Sequence, residues 1–214
     1  MRVNPELKDY IEKHVLPQYE KNEIGHGPDH IRYVIKRSFR LAEENNLDVN
    51  PDMVYVIAAY HDIGHIIDPK HHEIISAEIM SKDQNLKRFF NKNELAIIKE
   101  AIEDHRAKAD TEPRSIYGKI VSSADRTTSV NVCLKRTYTY GMKLLLGATD
   151  EELYENAYDA LVKKYGEEGY AKFYFKDSLY DKFVKDLREL LRDKENFIHT
   201  QREYIEGLKE RHEL

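Results

Sequence analysis

Much is missing from this 214-residue chain, and each absence narrows what it can be. A single cysteine, Cys133, excludes an internal disulfide framework and suits a reducing compartment. The longest apolar run, Met53–Tyr60, falls far short of the roughly 20 residues that cross a bilayer. Residues 1–10, MRVNPELKDY, have none of the apolar core of a secretory signal. A cytoplasmic protein with no membrane partner is the expectation. Glycine and proline are scarce, nine and six, and they fall between periodic segments, which favours an all-α fold. Positive charge is also in deficit: 34 Lys and Arg stand against 39 Asp and Glu, a net of −5. That balance argues against the broad basic face a nucleic acid polymer needs. A small phosphate ester stays admissible, because a bound cation reverses the local field.

What is present is helical pattern with clear punctuation. Asn4-Pro5 reads as an N-cap followed by proline at the first helical position, opening a helix to about Tyr19. Pro28 starts a second, carrying Ile31, Val34, Ile35, Phe39 and Leu41. Asn50-Pro51-Asp52 opens a third, apolar nearly all round and therefore expected at the centre, with Gly64 as its stop. A fourth covers about 71–82, with a short apolar piece at 86–90 after it. Asn93 is read as the cap of a fifth, whose stripe is Leu95, Ile98 and Ile102. A sixth spans about 114–128. Thr149 to Glu152 is a capping-box pattern for a helix ending at Gly166. Residues 170–175 are ambiguous, LKRTYTYG at 134–141 reads as a loop packing its aromatics, and from Asp177 onward one long helix or two joined ones follow. The C-terminal stripe Phe183, Leu187, Leu190, Lys194, Phe197, Gln201, Tyr204 and Leu208 suits either a homodimer seam or packing on the chain's own core.

Ten histidines are the unusual feature, and their positions matter more than their number. His30 lies in the first turn of the second helix, and His61 and Asp62 close the buried third. His72 opens the fourth, His105 falls on the apolar face at the end of the fifth, and Asp125 neighbours a core position of the sixth. Imidazoles and carboxylates from separate helices thus aim at one interior. A carboxylate in apolar surroundings needs compensating charge, and a divalent cation supplies it. Imidazole with carboxylate suits Mn²⁺, Fe²⁺, Co²⁺, Ni²⁺ or Zn²⁺ more than Ca²⁺, with Mg²⁺ admissible, as one or two ions. Adjacent residues of a regular helix diverge by about 100°, so His61 and Asp62 share an ion only at a distorted helix end.

The order His30, His61-Asp62, Asp125 resembles the HD-domain superfamily of metal-dependent phosphohydrolases. The flanks DHIRYV, AAYHDIGH and KIVSSADR carry the resemblance across roughly residues 26–130. His72 in HHEIISAEI and His105 in AIEDHRAK look like the extra ligands of the binuclear branch; His72 is preferred to His71 because its spacing to Ser76-Ala77 fits the family. The helix pattern divides the chain into a helical core over about 1–130, for which the resemblance implies an HD-type bundle, and a helical C-terminal lobe over 131–214, expected to pack on the core. It implies that His30, His61, Asp62 and Asp125 hold one metal, that Asp62 bridges, and that His72 and His105 complete a second site. A metal-activated water would then cleave a phosphate ester or anhydride of a small phosphorylated metabolite, a nucleotide being favoured by the family alone.

HDIGH also resembles the doublet region of nucleoside-triphosphate hydrolases of this superfamily, where a nearby histidine assists catalysis. His65 is the matching residue, although IIDPKHHE departs from the continuation found there; an orienting or capping role is the alternative. Arg106, Lys108, Lys119 and Arg126 flank the proposed ligands and are candidates to grip phosphate, with Arg136, Tyr138 and Tyr140 more distant ones. His26, beside the site's mouth, is expected to be exposed, as are His14, His199 and His212. Two other classes share the ligand set: a di-iron oxygenase on the same scaffold, and a non-catalytic module that binds a nucleotide as a sensor. The intact ligand set speaks against the sensor.

Overall fold

The computed structural model describes residues 1–22, 25–106 and 111–214, so Lys108 lies outside the described residues. Among the described residues, ten α-helices run α1 (Pro5–His14), α2 (Pro28–Glu44), α3 (Pro51–Tyr60), α4 (His72–Lys82), α5 (Lys92–Glu103), α6 (Ile116–Ala124), α7 (Val130–Leu144), α8 (Asp150–Tyr165), α9 (Ser178–Leu191) and α10 (Lys194–Glu210). No strand occurs among the described residues. Two compact units divide them: residues 1–126 with 172–176, and residues 127–171 with 177–214. No described helix is long and apolar enough to cross a membrane.

In the first unit α3 is the axis. Every residue from Met53 to Tyr60 is buried, and the helix packs against α1, α2, α4, α5 and α6. Each such Val or Ile withdrawn from water contributes about 1.5–3 kcal/mol, so the site that follows α3 hangs from the most strongly buried element. Phe173 and Phe175 pack against the same core, and Lys176 exchanges two hydrogen bonds with the Asn45 side chain. The ambiguous segment is thus irregular rather than a strand, with residues 172–175 belonging to the first unit.

Several boundaries differ from the sequence-based expectation, each for a local reason. Helix α1 ends at His14, and a 3₁₀ turn over Leu16–Lys21 replaces its last stretch. Pro17 has no N–H for the α-helical ladder. Helix α5 is capped by Asn91, whose side chain and Glu94 form a reciprocal capping box, not by Asn93. Ser115 caps α6, which is therefore shorter at both ends than expected. Helix α3 stops at Tyr60, before Gly64, and turns carry the chain through Ile67. Residues 134–141 belong to α7 instead of a loop: Ser129 caps it and Cys133, Leu134, Tyr138 and Gly141 form its buried face.

In the second unit the C-terminal chain is two helices, separated where Asp193 caps α10. Phe183, Leu187, Phe197, Gln201 and Leu208 of the stripe are buried within this unit, Gln201 donating to the Leu134 carbonyl.

One half-buried carboxylate ties three elements of the first unit. Asp83 accepts hydrogen bonds from the hydroxyls of Tyr10 on α1 and Tyr60 on α3 while its other oxygen accepts from the Asn85 N–H. Partial burial pushes its carboxyl up, but the two tyrosine bonds outweigh that and hold it below the ordinary carboxylate value. Asp83→Asn should cost about 2–3 kcal/mol near neutral pH, the size expected for hydrogen bonds to a charged acceptor. The sign is fixed by linkage. A lowered folded-state value means stability present above pH about 4 and lost as pH falls through that lowered value. The gap between wild type and variant in chemical denaturation should therefore shrink below pH about 4; a constant gap down to pH 3 would refute the charge's role.

Candidate metal centre

Five helix ends of the first unit converge. His30 sits in the first turn of α2, opened by Pro28, and His61 is the C-cap of α3 with Asp62 next. His72 is the first residue of α4, His105 follows the Asp104 cap of α5, and Asp125 caps the C-terminus of α6. The early end of α3 resolves the geometric difficulty of the doublet, since His61 and Asp62 leave the regular helix together.

Asp62, 1% exposed, is the middle of the arrangement. Its Oδ1 lies 3.1 Å from His72 Nε2 and 3.3 Å from His105 Nε2. Its Oδ2 lies 3.5 Å from His61 Nε2 and 3.6 Å from His30 Nε2, and His30 Nε2 is 3.2 Å from Asp125 Oδ1. Three groups able to hold a cation result: His30, His61 and Asp125; Asp62, His72 and His105; and His26, His30 and Asp62.

The tautomers follow from the outer contacts. His61 Nδ1 lies 2.8 Å from the Ala58 carbonyl, His72 Nδ1 2.9 Å from Pro69 O, and His105 Nδ1 2.7 Å from Ile102 O. A carbonyl only accepts, so each Nδ1 carries hydrogen and each neutral ring turns an Nε2 lone pair inward. His72 Nε2 and His105 Nε2 then face one another at 3.1 Å. His30 Nε2, His61 Nε2 and Asp62 Oδ1 are buried without a hydrogen bond. Converging lone pairs and unsatisfied buried atoms are what a divalent cation relieves, and a carbonyl behind each imidazole is the usual way of orienting a metal-ligating histidine. The donor set fits the group.

The electrostatics point the same way. Burial pushes Asp62 up, but His61, His105, His26 and His30 together hold it well below the carboxylate range. Burial lowers His30, yet its contacts with Asp125 and Asp62 win and bring it to about 9. Burial dominates at His61 and takes it down to about 4, Asp62 opposing. Asp125 is held far below its ordinary value by His30, against burial. A proton on His30 thus faces Asp62 and Asp125 where a cation would.

The remaining sequence candidates are placed as follows. His65 is buried, with its ring centroid 5.2 Å from that of His72. Arg126 is buried and donates to Ser122 Oγ at 3.0 Å. Lys119 pairs with Glu112 at 2.7 Å, and Arg106 with the Lys70 carbonyl at 2.6 Å and buried Glu73 at 3.2 Å. Arg136 belongs to α7 of the second unit, where Tyr138 is buried and Tyr140 exposed. His71 is exposed and meets Asp68.

Two residues at the centre escaped the sequence. His26 is not a solvated loop residue: its Nδ1 is 2.7 Å from Asp62 Oδ2 and its ring stacks on His65 with centroids 3.9 Å apart. Nothing periodic marks it, because Gly27 caps α2 and His26 precedes the helix. Arg37, 3% exposed, donates to the carbonyls of Ala124 and Arg126, on either side of Asp125. Here a signal existed: Arg37 lies three residues after Val34 and four before Leu41, on the buried stripe of α2.

Comparison with known proteins agrees with this architecture. The HD domain family model matches residues 29–129. A crystal structure described as a predicted HD superfamily hydrolase, from an uncultured Thermotogales bacterium, is similar in fold: TM-score 0.51, 22% identity, covering 76% of this chain and 90% of that one. No curated protein matches the sequence. The convergent residues His30, His61, Asp62, His72, His105 and Asp125 all fall inside the matched span, and residues 29–129 of this chain are an HD domain.

Proposed function

We propose that the chain is a metal-dependent phosphohydrolase acting on a small phosphorylated metabolite of nucleotide size. The observation that carries this reading is the division of Asp62 between two groups, Oδ1 toward His72 and His105 and Oδ2 toward His30 and His61. His30, His61, Asp62 and Asp125 would hold one divalent cation, and Asp62, His72 and His105 a second. When bound, such cations supply Lewis acidity toward the phosphoryl oxygens and a water acidified toward neutral pH.

The chain's own residues supply the rest. Asp62 fixes the spacing of the two groups, and the carbonyls of Ala58, Pro69 and Ile102 hold three imidazoles in the tautomer that faces inward. Arg37 steadies the carbonyls flanking Asp125. His65, beside His72, is placed to give a proton to the leaving oxygen. Arg126, Lys119 and Arg106 of the same unit are the cations offered to phosphate. Burial of the centre strengthens each of these charge interactions.

Mn²⁺-equilibrated protein should release phosphate or pyrophosphate from a panel of nucleotides and sugar phosphates. Chelation should abolish that release and Mn²⁺ restore it. Oxygen uptake without phosphate release would replace this reading with iron oxygenase chemistry, and nucleotide binding without turnover would replace it with a sensor.

A further inference from the structure

The histidines around Asp62 are not alike. His61, His72 and His105 each donate Nδ1–H to a carbonyl three residues upstream and turn Nε2 toward the carboxylate. His26 does the opposite. Its Nδ1, not its Nε2, faces Asp62 Oδ2 at 2.7 Å, the shortest of the imidazole contacts to that carboxylate. In the tautomer that carries hydrogen on Nδ1 this nitrogen donates to the ionised carboxylate; in the other it joins His30 and Asp62 as a candidate cation ligand, and metal titration of His26 variants separates the two. His26 also lies outside the span that matches the family model, which begins at residue 29.

Its surroundings hold it in place. The His26 ring lies nearly parallel to that of His65, 15° between planes, and meets the His30 ring edge-on at 5.6 Å. Its carbonyl accepts from the Asn22 side chain at 3.0 Å. A side chain 25% exposed that reaches a carboxylate 2% exposed is an inward-facing group.

We propose that His26 is a positioning residue for Asp62: by holding Oδ2 it fixes the rotation of the carboxylate, so that Oδ1 faces the His72–His105 pair and Oδ2 the His30–His61 side. A carboxylate turns easily about its last torsion, and without that bond the two oxygens interchange between the groups. The inference rests on the reading of Asp62 as the shared ligand. His65, stacked behind His26, holds the ring in register.

The test uses Mn²⁺ titration of the full chain followed by calorimetry and EPR, with His26→Ala, His26→Asn and His26→Gln beside wild type. Asparagine places its amide donor where Nδ1 stands, and glutamine places it where Nε2 stands. His26→Ala should still take up both ions, with affinity weakened about 10- to 100-fold, the loss typical of removing a group that orients a ligand. His26→Asn should recover most of that affinity and His26→Gln should not. Wild-type affinity in His26→Ala would overturn the proposal, as would loss of a whole ion that asparagine fails to restore, the mark of a direct ligand. Recovery by asparagine also separates the effect from misfolding. Should wild type itself bind no Mn²⁺, the shared-ligand reading falls and this inference with it; a two-ion wild type beside an unaffected alanine variant removes His26 alone.

Discussion

Asp62→Ala should lower phosphate release by about a thousand-fold or more and abolish metal uptake, with the helices intact. Losses of this order follow when a group that organises charge at a reacting centre is removed. The expectation rests on position. The carboxylate is 1% exposed and faces His72 and His105 with one oxygen and His30 and His61 with the other, so no neighbour can replace it. Stability should hold because the helices around it keep their own caps and core; α3, for one, is capped by Asn50 and buried along its whole length. In the metal-free variant His30 loses one of its two counter-charges. His30, brought to about 9 by Asp125 and Asp62, should fall, Asp125 alone remaining. Circular dichroism, metal analysis and imidazole titration by NMR check the three statements. A variant that keeps wild-type turnover would remove Asp62 from the chemistry.

Gly64→Ala should be the most damaging methyl group that can be added to the first unit. Its φ is not positive, so the argument is one of space rather than of backbone strain. A Cβ there would stand 2.8 Å from Ser76 N, 2.9 Å from His72 O and 2.9 Å from Ile75 Cβ, and two of these are backbone atoms that cannot swing aside. The Gly64 N–H also donates to Ser76 Oγ at 2.9 Å, so the turn after Asp62 and the start of α4 are in direct contact. Overpacking of this kind costs about 2–3 kcal/mol, or roughly 5–10 °C in melting temperature for a chain of this size. The strain falls on the first turn of α4 and therefore on His72. Weakened uptake at the His72–His105 group should accompany the lower melting temperature. An unchanged melting temperature with unchanged metal affinity would show that the turn can retreat.

Gly64 shows how far the sequence can be read. As a helix stop it was visible, but α3 ends earlier and the residue's importance lies in a contact with a helix that begins eight residues later. The converging histidines and aspartates were legible because each stands at a helix end marked by its own punctuation: Pro28 before His30, the end of the apolar run before His61-Asp62, and the stripe of α6 before Asp125. Local periodicity cannot reach further. Asp83 meets Tyr10 across 73 residues, and His26 meets Asp62 from a segment with no period at all. Helix α7 was hidden for a different reason. Its KRTYTYG stretch is rich in β-branched and aromatic residues of modest helix propensity, and packing within the second unit overrides that preference. Asn91 was legible but misread, since the Asn-to-Glu spacing of three that defines a capping box runs from Asn91 to Glu94.

Metal content per chain, by mass spectrometry after equilibration with Mn²⁺ and dialysis, tests the central claim most directly. A centre shared through Asp62 predicts about two ions per wild-type chain, falling toward one in His105→Ala. No retained metal, or an unchanged count in His105→Ala, would contradict it.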